Sequence, residues 1–498
     1  MADRNRHKYR DKTMKKGLIY STALIALVFA YQASSEQTDV YIPDGYAIET
    51  IDTPNKARFH ITGLDIDNNG DVYVATRFGD VWRLQGSNWL KAADGFHEPT
   101  GLLVDDDGSL LVAQKPELTR LVDVDNDGVF DEYINLADDW SFHDNYHEFN
   151  FGPVKDSDGN LYGTLNLGHG SPNELKLGAM GSSGGYRGWA YKIDKHGKFV
   201  PFASGLRSPA GIGISPDDQV FFTDNQGDWV ETSKLHLLEF GKFYGHPVSL
   251  RDHPDFDVEK ILSKQKDFDY WDKMREKPVV WIPHVEVANS PGNPEWDVTQ
   301  GKFGPFAGQM FIADLTQSSL FRVILEEVNG QLQGAVVNFA NGFQSGNIRI
   351  KFDMTGQLWV GQTARGWGAK GDKPFGLQKV TWDGTNPFEL LDMKLNTQGF
   401  DVTFTEALDS ESVNNADFSL SSWSYKYSSA YGSPKTNQQD LNISSLSLLD
   451  DRRTIRISLA SPLQTNTVVA LSFEKLKDQD GRTPTTTKAY YTINKLLK

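Results

Sequence analysis

Short segments of alternating apolar and polar residues dominate the chain from residue 45 to residue 390. Alternation with a period of two predicts strands that have one buried face. The segments come in pairs, and the turns that join them are rich in Asp, Asn and Gly, which predicts hairpins. The unit occurs six times, as GLDIDNNGDVYVAT from Gly63, GLLVDDDGSLLVAQ from Gly101, FGPVKDSDGNLYGTL from Phe151, GIGISPDDQVFFTD from Gly211, GPFAGQMFIAD from Gly304 and IRIKFDMTGQLWVGQ from Ile348.

Six hairpin units of this kind predict an all-β fold, a six-bladed β-propeller over residues 45–390. A solenoid of parallel strands is the alternative, but its repeats are shorter and its turns less like hairpins. One longer gap, at 246–300, is polar and aromatic, with Trp271, Trp281 and Trp296. It predicts an insertion over one face of the propeller, where it would shape a binding site.

The pattern changes near Met393. From Gly399 onward, short alternating segments are separated by turns of Ser, Asn, Asp and Lys. This predicts a small immunoglobulin-like β-sandwich over residues 395–498. The segment carries no concentration of reactive side chains, so support of the propeller is favoured over weak sugar binding.

Residues 1–35 predict a signal peptide, with a possible start at Met14. A positive beginning at Met14-Lys15-Lys16 precedes an apolar run, 17–30, that is short for a membrane span, and Val28 and Ala30 suit a cleavage site. An uncleaved anchor is the alternative. The expected location is therefore exported, periplasmic or extracellular, with no stable membrane span after cleavage.

The charge balance restricts the partners of the chain. Asp and Glu number 66 against 50 Lys and Arg, and removal of residues 1–33 changes the net charge from −16 to −21. Nucleic acid is excluded as a partner because its affinity comes from basic residues that neutralise phosphates. The chain has no Cys, so disulfides and thiolate metal sites are excluded. Neutral carbohydrate, or anionic carbohydrate bound by a local Arg cluster, remains as a partner.

An acidic loop between two predicted strands is a candidate metal site. Asp123, Asp125, Asp127 and Asp131 stand at positions 1, 3, 5 and 9, with Gly at position 6. Clustered carboxylates around a sharp turn are typical of calcium loops, although the bidentate Glu of an EF-hand is absent at position 12. Calcium in a structural role is the prediction, and a solvated acidic turn is the alternative.

Polar motifs follow or precede several predicted strands and are candidates for a shared site. His147, in Tyr146-His147-Glu148, is a candidate general base, or else a structural histidine. Arg207 can hold a carboxylate or an enolate, and Arg349 and Arg365 suit a planar anion or a stacked sugar. Oxygen-rich side chains at 223–229 can ligate calcium. Because these motifs recur at corresponding places in the repeats, we expect them to converge on one face.

Taken together, these stretches resemble the secreted propellers related to soluble glucose and sorbosone dehydrogenases. The resemblance is carried by Gln-Lys-Pro-Glu-Leu-Thr-Arg-Leu before the acidic loop (114–131), Tyr-His-Glu (146–148), Gly-Leu-Arg-Ser-Pro (205–209), Thr-Asp-Asn-Gln-Gly-Asp-Trp (223–229), Phe-Tyr-Gly-His-Pro (243–247) and Gln-Thr-Ala-Arg-Gly-Trp-Gly (362–368).

That resemblance implies a sugar dehydrogenase that uses pyrroloquinoline quinone and calcium. His147 matches the residue that removes the proton of the sugar hydroxyl, and Arg207 matches the residue that polarises the quinone. It also implies that Asp224 is a metal ligand. The cofactor contacts that it implies are Gln114, Asn225, Gln226, Arg349 and Arg365. The chain departs from the family about 20 positions after the histidine, where Asn166 replaces an acidic residue.

Two further functions fit the same residues. In a polysaccharide lyase or hydrolase, His147 and Tyr146 would be the acid–base pair, and Arg207 or Arg365 would neutralise a uronate carboxylate. In a non-catalytic glycan-binding protein, the Trp-rich loops would stack on sugar. The sequence indicates neither the sugar nor an oligomeric state.

Overall fold

Strands are the main secondary structure of the computed structural model, which describes residues 40–143, 145–168, 173–366 and 368–497. The predicted signal peptide, His169 and Trp367 lie outside the described residues. In the part that is described, no helix is both long and apolar enough to cross a membrane.

The first three sheets follow one another along the chain. After β1 (Tyr46–Ile51), the first sheet consists of β2 (Ile61–Ile66), β3 (Val72–Thr76), β4 (Val81–Gln85) and β5 (Asn88–Ala93). The second consists of β6 (Gly101–Val104), β7 (Leu110–Ala113), β8 (Leu118–Val122) and β9 (Glu132–Ala137). The third begins with β10 (Asn150–Lys155) and β11 (Leu161–Leu165), is interrupted by a ribbon of β12 (Leu175–Lys176) and β13 (Gly181–Ser182), and ends with β14 (Trp189–Ile193) and β15 (Phe199–Ser204).

Three more sheets complete the same arrangement. The fourth consists of β16 (Gly211–Ile214), β17 (Val220–Asp224), β18 (Ser233–Leu237) and, after a 3-10 helix (Pro247–Asp252), α1 (Val258–Ser263) and α2 (Phe268–Met274), β19 (Val280–Ile282). The fifth contains β20 (Pro291–Trp296), β21 (Met310–Asp314), β22 (Ser319–Val328) and β23 (Gln331–Ala340). The sixth contains β24 (Asn347–Phe352), β25 (Leu358–Thr363), β26 (Phe375–Trp382) and β1.

The first strands of the six sheets contact one another in cyclic order. β2 contacts β6, and the contacts continue through β10, β16, β20 and β24, which contacts β2 again. β1 pairs antiparallel with β26, with Tyr46 opposite Trp382 and Ile51 opposite Leu377. The sixth sheet therefore joins both ends of this segment of chain. We call the six sheets the ring; its arrangement agrees with the predicted β-propeller.

The glycines that open several repeats are explained by close approach of the inner strands. A Cβ at Gly101 would lie 1.5 Å from the carbonyl oxygen of Gly152, and one at Gly211 would lie 2.0 Å from that of Gly292. No side chain fits at such distances, so glycine allows the backbones to meet at the centre of the ring.

The hairpin turns form as their composition predicts. Asp67 Oδ1 accepts hydrogen bonds of 2.9 Å from the backbone N–H groups of both Asn69 and Asp71, and Gly70 adopts φ 87°. Asp353 does the same in the sixth sheet, accepting from Thr355 (2.8 Å) and Gln357 (3.0 Å). A side chain that satisfies the turn backbone, with glycine in the left-handed region, fixes a tight connection between strands.

The C-terminal domain contains β27 (Leu390–Leu395), β28 (Gly399–Phe404), α3 (Ser410–Asn415), β29 (Asp417–Ser424), β30 (Thr436–Leu441), β31 (Ile443–Leu448), β32 (Thr454–Leu459), β33 (Thr467–Glu474) and β34 (Lys488–Ile493). Its strands form two sheets, one of which is continuous with the fifth sheet of the ring. β34 pairs with β23, with Ala335 opposite Tyr491, which gives the order β20-β21-β22-β23-β34-β33-β29-β30. The other sheet has the order β27-β28-β32-β31.

Apolar side chains from the two sheets share one buried cluster that includes Phe400, Ile457, Leu471 and Tyr491. The sequence predicted a separate sandwich. The shared sheet arises because β22 and β23 are ten residues long, while the other ring strands have three to eight. The extra length of β23 leaves residues that pair with β34.

Candidate functional site

A cleft lies at the end of the ring where the inner strands begin and the second strands end. It consists of a narrow cavity of about 50 Å³ and a wider one of about 390 Å³, which share His147, Ser208, Asn225 and Ser290 in their walls. The narrow part is also lined by Thr62, Arg77, Thr100, Tyr146, Phe149, Phe151, Asn166, Ala210, Leu315, Ile348, Thr363 and Arg365. The wide part is also lined by Lys176, Ala179, Met180, Arg207, Gln226, His284, Asn289, Thr316 and Tyr431.

One recurring position supplies much of the narrow cavity. The residue directly after the second strand of a sheet lines it in four of the six sheets: Arg77 after β3, Asn166 after β11, Asn225 after β17 and Leu315 after β21. Because the six second strands end on the same face of the ring, these positions converge although they are far apart in sequence.

His147 lies in the segment between β9 and β10, and a buried arginine holds that segment in place. Arg187 donates to the carbonyl oxygens of Ser141 (2.7 Å) and Phe149 (3.0 Å), on either side of His147. The backbone N–H of His147 donates to Asn145 Oδ1 at 3.0 Å. The imidazole meets the ring of Tyr146 edge to face, with 4.7 Å between centroids.

Arg207 is positioned by two buried carboxylates. Asp224 accepts hydrogen bonds from the backbone N–H groups of Arg207 (3.0 Å) and Ser208 (2.8 Å), and Asp228 accepts from Arg207 Nε at 2.8 Å. Asp228 also lies 3.2 Å from His246 Nε2. Burial alone would raise the pKa of Asp228, but the hydrogen bond with His246 and the charge of Arg207 hold it well below its usual range. Asp228 is therefore ionised and fixes the guanidinium.

The cleft is rich in positive charge although the chain as a whole is acidic. Arg77, Lys176, Arg207 and Arg365 line it, and neither Asp nor Glu occurs among its described lining residues. Burial, followed by the nearby charges of Arg365 and Arg77, lowers the pKa of His60 to about 4. Three of these cations also pair with carboxylates outside the lining, namely Arg77 with Glu98 (3.3 Å), Lys176 with Glu174 (3.5 Å) and Arg207 with Asp228 (2.8 Å). The cleft therefore offers charged hydrogen-bond donors, which suit an anionic or strongly polar ligand.

Aromatic rings hold two of these arginines. The Arg77 guanidinium carbon lies 5.0 Å from the ring centroid of Tyr146 and 4.9 Å from that of Phe149. That of Arg365 lies 4.4 Å from the centroid of Phe78. Contacts of this kind orient a guanidinium, and Arg77 is also paired with Glu98 at 3.3 Å.

Several buried polar atoms of the narrow cavity have no hydrogen-bond partner within the described part of the chain. They are Asn166 Oδ1, Asn225 Oδ1 and Arg77 Nη2. An unpaired buried polar atom is costly, and its occurrence in a native structure indicates a water, ion or ligand. The two amide oxygens and the guanidinium are therefore suited to receive one.

Of the remaining predicted site residues, only Gln226 joins the cleft, at the edge of the wide cavity. Gln114 is buried in the second sheet, where its amide accepts from the His97 backbone (2.7 Å) and donates to Thr119 (2.8 Å).

Arg349 is not brought into the cleft. It donates to three carbonyl oxygens, those of Thr100 (2.8 Å), Ala210 (2.8 Å) and Ile348 (2.7 Å), and burial lowers its pKa to about 9. Its guanidinium thus ties three inner parts of the ring together.

The predicted metal ligands fall in two places. Oxygens of Asp123, Asp125 and Asp131 lie within 4.8 Å of one another in the loop between β8 and β9, away from the cleft. Asp127 is not part of this group and accepts a hydrogen bond from the backbone of Val129 at 2.8 Å. Asp224 is buried, accepts a hydrogen bond from the backbone of Arg207, and is not part of this carboxylate group.

The segment 246–300 contributes less to the cleft than its sequence predicts. Only His284, Asn289 and Ser290 of this range line it. The helices α1 and α2 instead pack side chains such as Ile261 and Trp271 into a cluster with Trp229. Apolar residues at helical spacing give each of these helices a buried face. The aromatic content of the segment is evident from the sequence, but this helical spacing was not recognised there.

Sequence reasoning missed Arg77, Lys176 and Tyr431 as cleft residues. For Arg77 a signal exists, since it occupies the position after the second strand that Asn225 occupies in the fourth sheet. Lys176 comes from the small β12–β13 ribbon and Tyr431 from the C-terminal domain, and no local pattern connects either to the ring.

A larger cavity, of about 420 Å³, opens at the opposite end of the ring. Its charged residues already pair with each other: Lys351 Nζ lies 3.4 Å from Asp65 and 3.5 Å from Glu295. The buried polar atoms of the cleft that have no partner among the described residues, and the predicted site residues that line it, favour the cleft as the functional site.

No family model matches the chain, and no curated protein matches it. Among solved structures, an oxidoreductase of Thermus thermophilus assigned as a glucose dehydrogenase is similar, with 17% identity and a TM-score of 0.50 over 68% of this chain and 100% of that one. A second glucose dehydrogenase has 14% identity and a TM-score of 0.50, over 67% and 98%. The PQQ-bound aldose sugar dehydrogenase of Streptomyces coelicolor has 13% identity and a TM-score of 0.49, over 68% and 99%.

The two glucose dehydrogenase structures establish the fold that this chain shares. The predicted resemblance to soluble glucose dehydrogenases is thereby confirmed at the level of the fold. Each of these proteins is covered almost completely, whereas about a third of this chain has no counterpart in them.

Proposed function

We propose that the ring is a six-bladed β-propeller, that the C-terminal domain is an immunoglobulin-like sandwich, and that the cleft is the active site of an exported sugar oxidoreductase. The observation that carries the functional proposal is convergence: His147, Arg207, Asn225, Gln226 and Arg365 line one cleft that has four cationic side chains. The glucose dehydrogenases with the same fold support the choice of carbohydrate as the substrate.

The cleft residues fit pyrroloquinoline quinone, which is a planar anion with several carboxylates. Arg77 and Arg365 would bind carboxylate oxygens, and their aromatic neighbours keep them in place. The unpaired Oδ1 atoms of Asn166 and Asn225 are the hard oxygen ligands that a calcium ion in the same cleft would take. Asp224 would act indirectly in this arrangement, by holding the backbone at Arg207.

The bound quinone would supply a two-electron acceptor for the hydride of a sugar C–H bond. His147 would accept the proton of the sugar hydroxyl as that bond reacts, since an imidazole is an effective base near neutral pH. Arg207 would stabilise negative charge that develops in the cleft. Asp228 and His246, buried behind Arg207, would keep its guanidinium oriented during the reaction.

Titration with quinone and calcium tests the proposal. We expect saturable binding by the wild-type chain, seen in the cofactor absorbance, and sugar-dependent reduction of a redox dye across a panel of aldoses. Arg365→Gln should weaken quinone binding about tenfold, a factor that corresponds to about 1.4 kcal/mol, as expected for one charge-assisted contact. Absence of saturable quinone binding by the wild-type chain would exclude the quinone.

A second candidate function is cleavage of a uronate-containing polysaccharide. The ring contact between Tyr146 and His147, together with the cationic lining, also suits an acid–base pair beside a uronate carboxylate. Release of products that absorb in the ultraviolet from such a polymer, without quinone, would favour this function. Sugar binding without any turnover would instead indicate a glycan-binding protein.

A further inference from the structure

The C-terminal domain sends one loop to the rim of the cleft. This loop, residues 425–435, connects β29 to β30 and reaches the segment that follows β17 in the ring. Three backbone hydrogen bonds join the two segments, from Gly432 to the Gly227 carbonyl (2.9 Å), from Trp229 to the Ser428 carbonyl (3.2 Å) and from Ser433 to the Glu231 carbonyl (2.7 Å).

A buried tyrosine anchors the loop from behind. The Tyr427 hydroxyl donates to the carbonyl oxygen of Gly245, and its ring lies 4.0 Å from the guanidinium carbon of Arg275 and 5.5 Å from the ring of Trp229. Arg275 in turn pairs with buried Glu231. The six-sheet ring therefore holds the loop both through hydrogen bonds to its backbone and through contacts with the Tyr427 side chain.

Gly432 sets the direction in which the tip of the loop points. It adopts φ 70°, and a Cβ at this position would lie 2.9 Å from Cδ of Gln226. Only glycine combines this backbone conformation with so close an approach to a cleft residue. Tyr431, the preceding residue, is thereby placed on the wall of the wide cavity.

Tyr431 lines the wide cavity and is open to solvent. It is 62% exposed, and its centroid lies 5.3 Å from the guanidinium carbon of Arg207. An aromatic side chain that is fixed by its loop yet left open to solvent in a concave polar site provides contact area at little entropic cost. The wall also contains apolar Ala179 and Met180 and the cationic Lys176 and Arg207, so a ligand there meets an aromatic ring beside both apolar and charged groups.

We propose that Tyr431 is the aromatic platform on which a sugar ring stacks, so that the C-terminal domain helps to determine substrate specificity. The proposal rests on the proposed function in one respect, namely that the ligand of the cleft is a carbohydrate. The apolar C–H face of a pyranose stacks on Tyr431, in the same cavity as His147 and Arg207. The C-terminal domain would then contribute directly to the site.

Sugar binding by the full chain tests this role without any need for oxidation. Binding of a panel of neutral aldoses and uronic acids is measured by calorimetry and saturation-transfer NMR, with and without quinone and calcium. We expect Tyr431→Ala to raise the dissociation constant of the bound sugar by about two- to twelvefold, because stacking contributes about 0.5–1.5 kcal/mol. Tyr431→Phe, which keeps the ring, should stay within about twofold.

Phe240→Ala is the matched control, because Phe240 is also an exposed aromatic residue (67%) and does not line the cleft. It should leave sugar binding unchanged. In the quinone-loaded chain, Tyr431→Ala should raise KM and leave kcat within about threefold, as expected for lost binding that is equal in the ground and transition states. The melting temperature should not change.

The outcomes separate this inference from the proposed function. Sugar binding that depends on Tyr431, in a chain that never oxidises sugar, supports the platform and contradicts the oxidoreductase. Oxidation by Tyr431→Ala with unchanged KM contradicts the platform and leaves the oxidoreductase intact. The platform is also contradicted if the variant loses quinone binding but not sugar binding, or if the wild-type chain binds no sugar.

Discussion

Arginine side chains provide the positive charge around the narrow cavity, and aromatic rings hold them in position. Arg365 and Arg58 both stack on Phe78, with guanidinium carbons 4.4 and 3.8 Å from its centroid, and His60 lies beside them with Nδ1 2.9 Å from Thr363 Oγ1. Because several cations surround one half-buried imidazole, His60 reports the local potential.

We expect His60 to titrate near pH 4 in the free protein. Burial and then the charge of Arg365 lower its pKa to about 4, so Arg365→Gln should raise the pKa, and a bound polycarboxylate should raise it further. Because the folded pKa lies below the unfolded value of about 6.5, this group adds stability above pH 6.5 and loses it as the pH falls toward 4. Histidine-selective NMR titration measures the pKa directly.

His196, which lies in an exposed turn of the third sheet, serves as the internal reference in the same titration. Its resonance should not respond to Arg365→Gln. A His60 pKa near the ordinary histidine value of about 6.5, unaffected by the substitution, would contradict a cationic environment at His60.

Sequence identified His147, Arg207 and Arg365 because polar or charged residues stand out near the ends of predicted strands. Arg349 was assigned to the same site for the same reason, yet its guanidinium binds three inner carbonyls. Local sequence alone does not distinguish a buried arginine that bonds to backbone carbonyls from an arginine that is available to a ligand. Only the position of neighbouring strands distinguishes them.

At the scale of elements, the acidic loop between β8 and β9 is a small unit with its own predicted ligand. Asp123 accepts hydrogen bonds from the backbone of Asp127 (3.2 Å) and Gly128 (2.8 Å), and Asp131 accepts from Val124 (2.9 Å). These bonds curl the loop so that oxygens of three of the four predicted ligands, Asp123, Asp125 and Asp131, lie within 4.8 Å of one another, while Asp127 lies outside the group.

We predict that calcium raises the melting temperature of the wild-type chain and that Asp125→Asn removes most of that rise. Calcium at about 100 times its dissociation constant stabilises the folded state by about 2.7 kcal/mol, and loss of one charged ligand weakens the site. Differential scanning calorimetry with calcium and with chelator measures the difference.

Asp127→Asn is the matched variant, because Asp127 lies outside the group of three and caps the Val129 backbone. It should keep most of the calcium effect. Equal calcium effects in wild type and Asp125→Asn would show that this loop does not hold the ion.

For the molecule as a whole, the shared sheet between ring and C-terminal domain matters most. β34 pairs with β23, and the Thr492 hydroxyl accepts a hydrogen bond of 2.8 Å from the backbone of Trp281 in β19. The alternating pattern predicted strands in this region, but pairing between strands about 150 residues apart depends on a long-range edge that no local pattern specifies.

We therefore expect the chain to unfold in one cooperative transition. Ring and C-terminal domain share β23–β34 pairing and the 425–435 loop, so neither is expected to keep its structure while the other unfolds. Circular dichroism, tryptophan fluorescence and calorimetry should give one common midpoint. Two well-separated transitions would mean that the domains are energetically independent, and the position of Tyr431 would then lose its support.

The most direct test of the functional account is anaerobic mixing of the quinone-loaded chain with sugar, followed by absorbance in a single turnover. We predict that the wild-type chain reduces the bound quinone, and that His147→Gln binds quinone and sugar as tightly but reacts about 10²–10⁴ times more slowly, the range expected for loss of a general base. Reduction at the wild-type rate by His147→Gln, or no reduction by the wild-type chain with any sugar, would contradict the account.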